Sequence, residues 1–289
     1  MKAFLESEFA PAAKNVAGFH VIPVPMELSV SYGRGTCLGP QAILTASQQL
    51  EADVYGYRPG DLGIHTQKPI TRKGRYAEAW LEAIAARVAE ALQWQAVPVL
   101  LGGEHTVTLG AARAFKDAGR DIGFIHFDAH ADLRDTYEGS PFSHACVMRR
   151  VHELGFPVLQ LGTRAVAQEE RDYRSANPGT ITAYDGLDIA DGKVPADFIP
   201  RGFPEEVYVS FDVDGLDPSI MPATGTPVPG GLLWYDVVNM MHVVAASRRI
   251  SGIDVVEFAP IKGLHAATFT VALLTQLLMA MAQHRDTIG

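Results

Sequence analysis

Seven short apolar runs, at 20–24, 97–101, 122–127, 158–162, 180–184, 207–211 and 252–258, constrain this chain more than any other feature. Most are hydrophobic at every position and do not alternate. Strands of that kind are buried on both faces, as in a parallel sheet. Helical patterns separate them. The clearest covers 76–94, where Trp80, Ile84, Val88 and Leu92 recur every four residues. A closing helix is expected over 264–283, and a weaker strand near 53–57. Strand–helix–strand repetition of this type predicts an α/β fold. No repeat or linker divides the chain, and the Pro/Gly-rich stretch 221–231 reads as a loop. Residues 1–289 are therefore expected to form a single domain, with 47% hydrophobic residues to fill its core.

The polar residues are placed where these runs end. Leu100–Leu101 leads into Gly102, Gly103, Glu104 and His105. Phe127 leads into Asp128, His130 and Asp132 at every second position. Phe211 leads into Asp212 and Asp214, and Val255–Val256 into Glu257. Open parallel sheets bind ligands at the carboxyl ends of their strands, so four clusters are expected to converge there. In a strand, residues i, i+2 and i+4 share a face. That would aim Asp128, His130 and Asp132 into one cleft, with Gly102 and Gly103 letting the backbone come close.

Four carboxylates in one cleft repel unless a counter-charge is present. Two divalent cations balance Asp128, Asp132, Asp212 and Asp214, and His105 and His130 add neutral nitrogen ligands. Carboxylate and imidazole without thiolate suit manganese better than structural zinc. Two such ions, about 3.5–4 Å apart, can lower the pKa of a shared water toward about 7. His144, in the following loop, is a candidate proton shuttle because imidazole titrates near neutrality. His126 reads equally well as support for Asp128 or as core packing.

Other motifs fail their tests. Residues 212–223 lack a calcium loop's ligands, with Leu216 and Ala223 at ligand positions. The run 152–156 lacks the second His of a zincin. An Asp-x-Asp phosphatase would need its motif earlier in the fold. His20, His65, His242, His265 and His284 read as structural or surface residues, and Arg72, Lys73 and Arg75 as a solvated face. A net charge of −9 argues against nucleic acid. The apolar run 271–282 is too short to span a bilayer and predicts a buried helix. Two cysteines without C-x-x-C, and no signal-peptide pattern, lead to the expectation of a reducing, cytoplasmic location.

Together these pieces resemble the ureohydrolase family of arginase, agmatinase and formimidoylglutamase. The resemblance rests on Gly-Gly-Glu-His (102–105), Asp-Ala-His-Ala-Asp (128–132), Ser-Phe-Asp-Val-Asp-Gly-Leu-Asp-Pro (210–218) and Val-Val-Glu (255–257). Residues 31–43, 161–164 and 224–231 extend it over essentially the whole chain. It implies a three-layer α/β/α sandwich around an eight-stranded, mostly parallel sheet, and two manganese ions bridged by hydroxide. His105, Asp128, Asp132 and Asp212 would hold one ion. His130 and Asp214 would complete the second, with Asp128 and Asp212 shared. Hydroxide would attack a guanidinium carbon, giving urea and an amine. Glu257 matches the residue that pairs with the guanidinium, and His144 the loop histidine that relays protons. Trimers or hexamers are implied as well.

The loop after Asp132 bears on the substrate. It offers no Asn for an amino-acid head group, and its Asp135 and Glu138 favour a cationic far end. That points to agmatine, a small cationic guanidino substrate, with putrescine and urea as products. Arg134 pulls the other way: facing the pocket, it would pair with a carboxylate and favour a guanidino acid. Arginine, formimidoylglutamate and a metal-binding pseudoenzyme are the remaining alternatives.

Overall fold

The computed structural model describes residues 2–71, 74 and 76–283. Arg72, Lys73, Arg75 and His284 lie outside that set. Eight strands follow in chain order: β1 (Phe19–Val24), β2 (Ile64–Thr66), β3 (Val97–Gly102), β4 (Ile122–Phe127), β5 (Val158–Leu161), β6 (Ile181–Tyr184), β7 (Glu206–Asp212) and β8 (Arg249–Val256). Every pairing between them is parallel. The spatial order is β2-β1-β3-β8-β7-β4-β5-β6. The late strands β7 and β8 therefore insert between β3 and β4, and the four strands that carry the polar clusters become the centre of the sheet.

The uninterrupted apolar runs are explained by burial on both faces. Val99, Leu101, Ile125 and Phe127 face one core. Leu100, Ile122 and Phe124 face the other. The first core is closed by α1 (Gly39–Ala46), α7 (Trp234–Ser247) and α8 (His265–Gln283). The second is closed by α2 (Ala77–Gln93), α3 (Val107–Asp117) and α4 (Val147–Glu153). Two further helices, α5 (Gln168–Ala176) and α6 (Gly186–Ala190), follow β5 and β6. The result is a three-layer α/β/α sandwich.

The sequence expectations need three corrections. No strand forms near 53–57; Val54 and Tyr57 make one antiparallel bridge in a tight turn. The edge strand β2 went unpredicted because three residues carry no periodic signal. Helix α8 is longer than the apolar run within it: its 19 residues are long and apolar enough to cross a membrane by length and composition. It lies instead against β8 and α1, with Val271, Leu274, Leu277 and Leu278 inside the first core.

Candidate metal centre

Except for Asp212, which closes β7, the candidate ligands lie just past the ends of their strands. β4 ends at Phe127, and residues 128–132 form a loop in which His130 bridges to Ala165 and Asp132 takes a left-handed φ of 52°. The three residues do converge, but not by continuing a strand face. Asp212 closes β7, and Asp214 sits in the 3-10 turn Val213–Gly215, its N–H donating to Asp212 Oδ1 at 2.8 Å. Glu257 follows β8 with a φ of 61°. Left-handed backbone at two non-glycine residues of one site costs energy and is held in place by the surrounding structure. Gly103 lacks a Cβ for a different reason than expected: the carbonyl of Met26 occupies that space, so the loop after β1 packs directly on the loop after β3.

The donors form two groups that share Asp128. His105 Nδ1 lies 3.2 Å from Asp128 Oδ2, 3.2 Å from Asp132 Oδ2 and 3.4 Å from Asp212 Oδ2. His130 Nδ1 lies 3.1 Å from Asp214 Oδ2 and 3.4 Å from Asp128 Oδ1. Asp128 thus turns one oxygen to each imidazole. Asp212 turns its Oδ2 to His105, and its Oδ1 accepts the Asp214 N–H at 2.8 Å, much as Asp128 Oδ1 accepts the His130 N–H at 2.6 Å.

These residues fit a pair of metal ions. His105 Nδ1 is buried and has no hydrogen-bond partner, although three carboxylate oxygens surround it. The other nitrogen explains this. His105 Nε2 contacts Ser210 Oγ at 2.9 Å, and the Ser210 hydroxyl donates to Asp254 Oδ1 at 2.8 Å. With its proton committed to Asp254, Ser210 accepts from Nε2–H, so Nδ1 is the nitrogen that the neutral imidazole offers to a metal. Burial lowers the His105 pKa, but Asp128, Asp132 and Asp212 outweigh it and raise it well above the ordinary value, so without metal a proton sits on Nδ1 and a bound metal ion would take its place.

Electrostatics lead to the same conclusion. Burial pushes Asp132 up to about 7, with the charge of Asp128 adding to it. Burial and the neighbouring Asp214 and Asp128 charges push Asp212 well above the carboxylate range. Burial acts the same way on Asp128, but His126, His105 and His130 hold it well below that range. His130 is driven up to about 12: burial opposes this, but Asp128 and Asp214 outweigh it. Without metal, protons do the neutralising.

His126 stands as close to the first group as a ligand would, within 4.8 Å of the donors of His105, Asp128 and Asp132. Its hydrogen bonds assign it another role. Arg174 Nε donates to Gln160 Oε1 at 2.9 Å, which orients the amide. Gln160 Nε2 then donates to His126 Nδ1 at 2.9 Å, and His126 Nε2–H donates to Asp128 Oδ2 at 2.8 Å. His126 aims the shared carboxylate. Burial lowers its pKa and keeps it neutral for this purpose.

A small cavity touches His130, Asp132, Asp212, Asp214, His144 and Glu257. A larger one of about 170 Å³ continues outward past Arg134, Tyr137 and Thr226. Glu257 Oε1 accepts the His105 N–H at 2.7 Å, which leaves its other oxygen available. Burial and the nearby Glu104 charge push its carboxyl well above the usual range, so a cationic guest would be welcome there. Arg164 pins the loop 224–231 by donating to the carbonyls of Asp214 at 2.7 Å and Val228 at 2.6 Å. Thr226 of that loop reaches Asp214 Oδ2 at 3.3 Å.

The acidic loop is arranged differently from the sequence expectation. Asp135 points outward and pairs with Arg150 at 2.6 Å. Glu138 is exposed in the same loop with a φ of 49°. Neither lines the cavity, because two arginines on α4 draw Asp135 to the surface and the turn at 137–140 carries Glu138 outward. Arg134 does line it, but pairs with Glu169 at 2.9 Å and lies 5.6 Å from the Tyr137 ring centre.

From the sequence, His126 is expected as support for Asp128 or as core packing and Ser210 only as part of a motif, while Gln160 and Asp254 are missed. Gln160, His126, Ser210 and Asp254 are register partners across β5, β4, β7 and β8. Each is a polar residue inside an apolar run, and that is the signal that marks them. Glu104 was quoted only as part of a motif, and Ser29 carries no signal at all.

Comparison with known proteins agrees with this geometry. The arginase family model matches residues 17–282. The N(1)-aminopropylagmatine ureohydrolase of Synechocystis sp. is 37% identical over 287 residues, covering 96% of this chain and 93% of that protein. The agmatinase of Pyrococcus horikoshii is 31% identical over 275 residues, covering 92% of each. Among solved structures, the agmatine ureohydrolase of Thermoplasma volcanium superposes with a TM-score of 0.87 at 28% identity, covering 100% of this chain and 96% of that one.

Proposed function

The chain belongs to the arginase family and is an enzyme acting on linear amidines, and from that premise we propose that it hydrolyses a guanidino amine, agmatine, to putrescine and urea. One observation carries the reading: the carboxylate of Glu257 lies in the same cavity as donors of both metal groups. A planar guanidinium offers paired N–H donors that suit a carboxylate. Burial of Glu257 favours a guest that brings positive charge.

His105, Asp128, Asp132 and Asp212 would hold one divalent cation, and His130 with Asp214 and Asp128 the other, manganese being the metal the donor set suits. When bound, such a pair lowers the pKa of water toward about 7 and supplies the nucleophile. Glu257 holds the guanidinium so that its central carbon faces both donor groups. His144, at the cavity wall, moves a proton to the departing amine. Burial lowers its pKa, which favours the neutral imidazole, able to take up a proton and then pass it on.

A second reading shares this chemistry and changes the tail. The relatives named N(1)-aminopropylagmatine ureohydrolase, at 37% identity, favour an aminopropylated agmatine. The outward cavity past Tyr137 gives such a tail a direction to leave. A cytoplasmic location is supported by two unpaired cysteines. Assembly into trimers or hexamers is supported by an apolar groove that exposes Leu38 and Phe269.

The test is urea release by manganese-loaded protein. Agmatine, N(1)-aminopropylagmatine, arginine and 4-guanidinobutyrate should be compared. A guanidino amine should be preferred by at least about tenfold in kcat/KM, roughly 1.4 kcal/mol. Preference for arginine or the guanidino acid would overturn the substrate and shift attention to Arg134.

A further inference from the structure

The loop that follows β1 crosses the candidate centre and is tied to a buried carboxylate that holds none of the donors. Glu104 Oε2 accepts the backbone N–H groups of Leu28 and Ser29, the latter at 2.6 Å. Glu104 Oε1 accepts the Ser29 hydroxyl at 2.9 Å. Glu104 is fully buried. The far end of the loop is held in the same manner, with Glu27 Oε2 accepting the N–H groups of Gly35 at 2.9 Å and Cys37 at 3.0 Å.

Ser29 also faces His144. Its Oγ lies 3.2 Å from His144 Nδ1 and accepts the His144 backbone N–H at 3.0 Å. A serine hydroxyl has one proton and two lone pairs. The proton goes to Glu104, because a carboxylate only accepts. Toward His144 the oxygen then has only lone pairs to offer, and Nδ1 must carry a hydrogen to bond with it. Ser143 Oγ, 3.3 Å from the same nitrogen, can donate or accept and so imposes nothing. The Tyr137 ring packs edge-on against the imidazole at 5.6 Å, which restricts ring rotation.

We propose that Ser29, anchored by Glu104, is a positioning residue that fixes His144 in its Nδ1–H tautomer and leaves Nε2 as its basic nitrogen. The assignment rests on the reading of His144 as the proton carrier. It adds what determines which nitrogen works. The sequence holds no trace of it, since Ser29 and His144 are 115 positions apart and meet only through the fold.

Two readouts decide it. The first is the His144 ring in metal-free, 15N-histidine-labelled protein, with the signal assigned by comparison with His144→Asn. Wild type should show the Nδ1–H tautomer, Ser29→Ala should lose that preference, and Ser29→Thr should restore it. The second is turnover of the manganese-loaded enzyme. Ser29→Ala should lower kcat by about tenfold or more, change KM less than about twofold and retain two metals per chain, with Ser29→Thr recovering kcat. An Nε2–H tautomer in wild type, or a Ser29→Ala variant with unchanged tautomer and kcat, overturns the proposal. If wild type hydrolyses no guanidino amine, the functional reading fails, while the tautomer measurement still decides this one.

Discussion

His126 on β4 and Ser210 on β7 are register partners, yet they serve different donors. His126 donates to Asp128, and Ser210 accepts from His105. The row continues to Gln160 on one side and Asp254 on the other, so one polar stripe across four parallel strands orients the centre above it. Partners of this kind typically contribute about 10–100-fold to metal affinity. Ser210→Ala should therefore weaken manganese binding by about that factor, as read by titration calorimetry, with the far-UV circular dichroism spectrum unchanged. Unchanged affinity would remove the stripe from the description of the site.

Asp128 is the carboxylate both groups share. Asp128→Asn removes a charge from each, and the variant should bind fewer than two manganese ions per chain. Its urea release should fall by at least about 100-fold. Metal analysis after gel filtration, paired with the urea assay, checks both. Full occupancy with full activity would exclude a shared carboxylate.

Glu257→Gln keeps the shape of the side chain and removes its charge. A hydrogen bond to a charged partner contributes about 1.5–3 kcal/mol, so kcat/KM for a guanidino amine should fall by roughly 10- to 150-fold. The metal content should stay the same, because Glu257 is not among the grouped donors. Steady-state kinetics beside metal analysis separates the two roles.

Asp135 is exposed and paired with Arg150, away from the cavity. Asp135→Asn should leave kcat/KM for every guanidino substrate within about twofold, as surface changes usually do. A selective loss against agmatine alone would restore the amine-reading role that the sequence suggests.

Metal removal should invert the pH dependence of stability. Asp132 is pushed up to about 7 in the folded chain from 3.8, by burial and then by the Asp128 charge. Its contribution is complete below the unfolded value and is lost as pH rises through about 7. His130, raised to about 12 from 6.5, acts in the same direction above neutrality. The chelated protein should therefore lose thermal stability from about pH 5 to pH 8.5. The manganese-loaded protein should gain, because the metal must displace those protons. Paired melting curves across that range would show parallel trends if the protons are not held at the centre.

Much of this was legible before folding was considered. Continuous apolar runs led to a parallel sheet because only strands buried on both faces can be hydrophobic at every position. Asp128, His130, Asp132, Asp212 and Asp214 stood out because charged residues at the ends of buried strands need a counter-charge. Those are local properties, set by composition and spacing along one segment. What the tertiary structure alone decided is which segments meet. The insertion of β7 and β8 between β3 and β4 brings His105 to Asp212, more than a hundred residues away, and the loop after β1 crosses over to set Ser29 against His144. It also turned Asp135 outward, because Arg150 on α4 offered a closer charge than the cavity did. Strand order and ion-pair choice depend on contacts between distant segments, and no single stretch of chain records them.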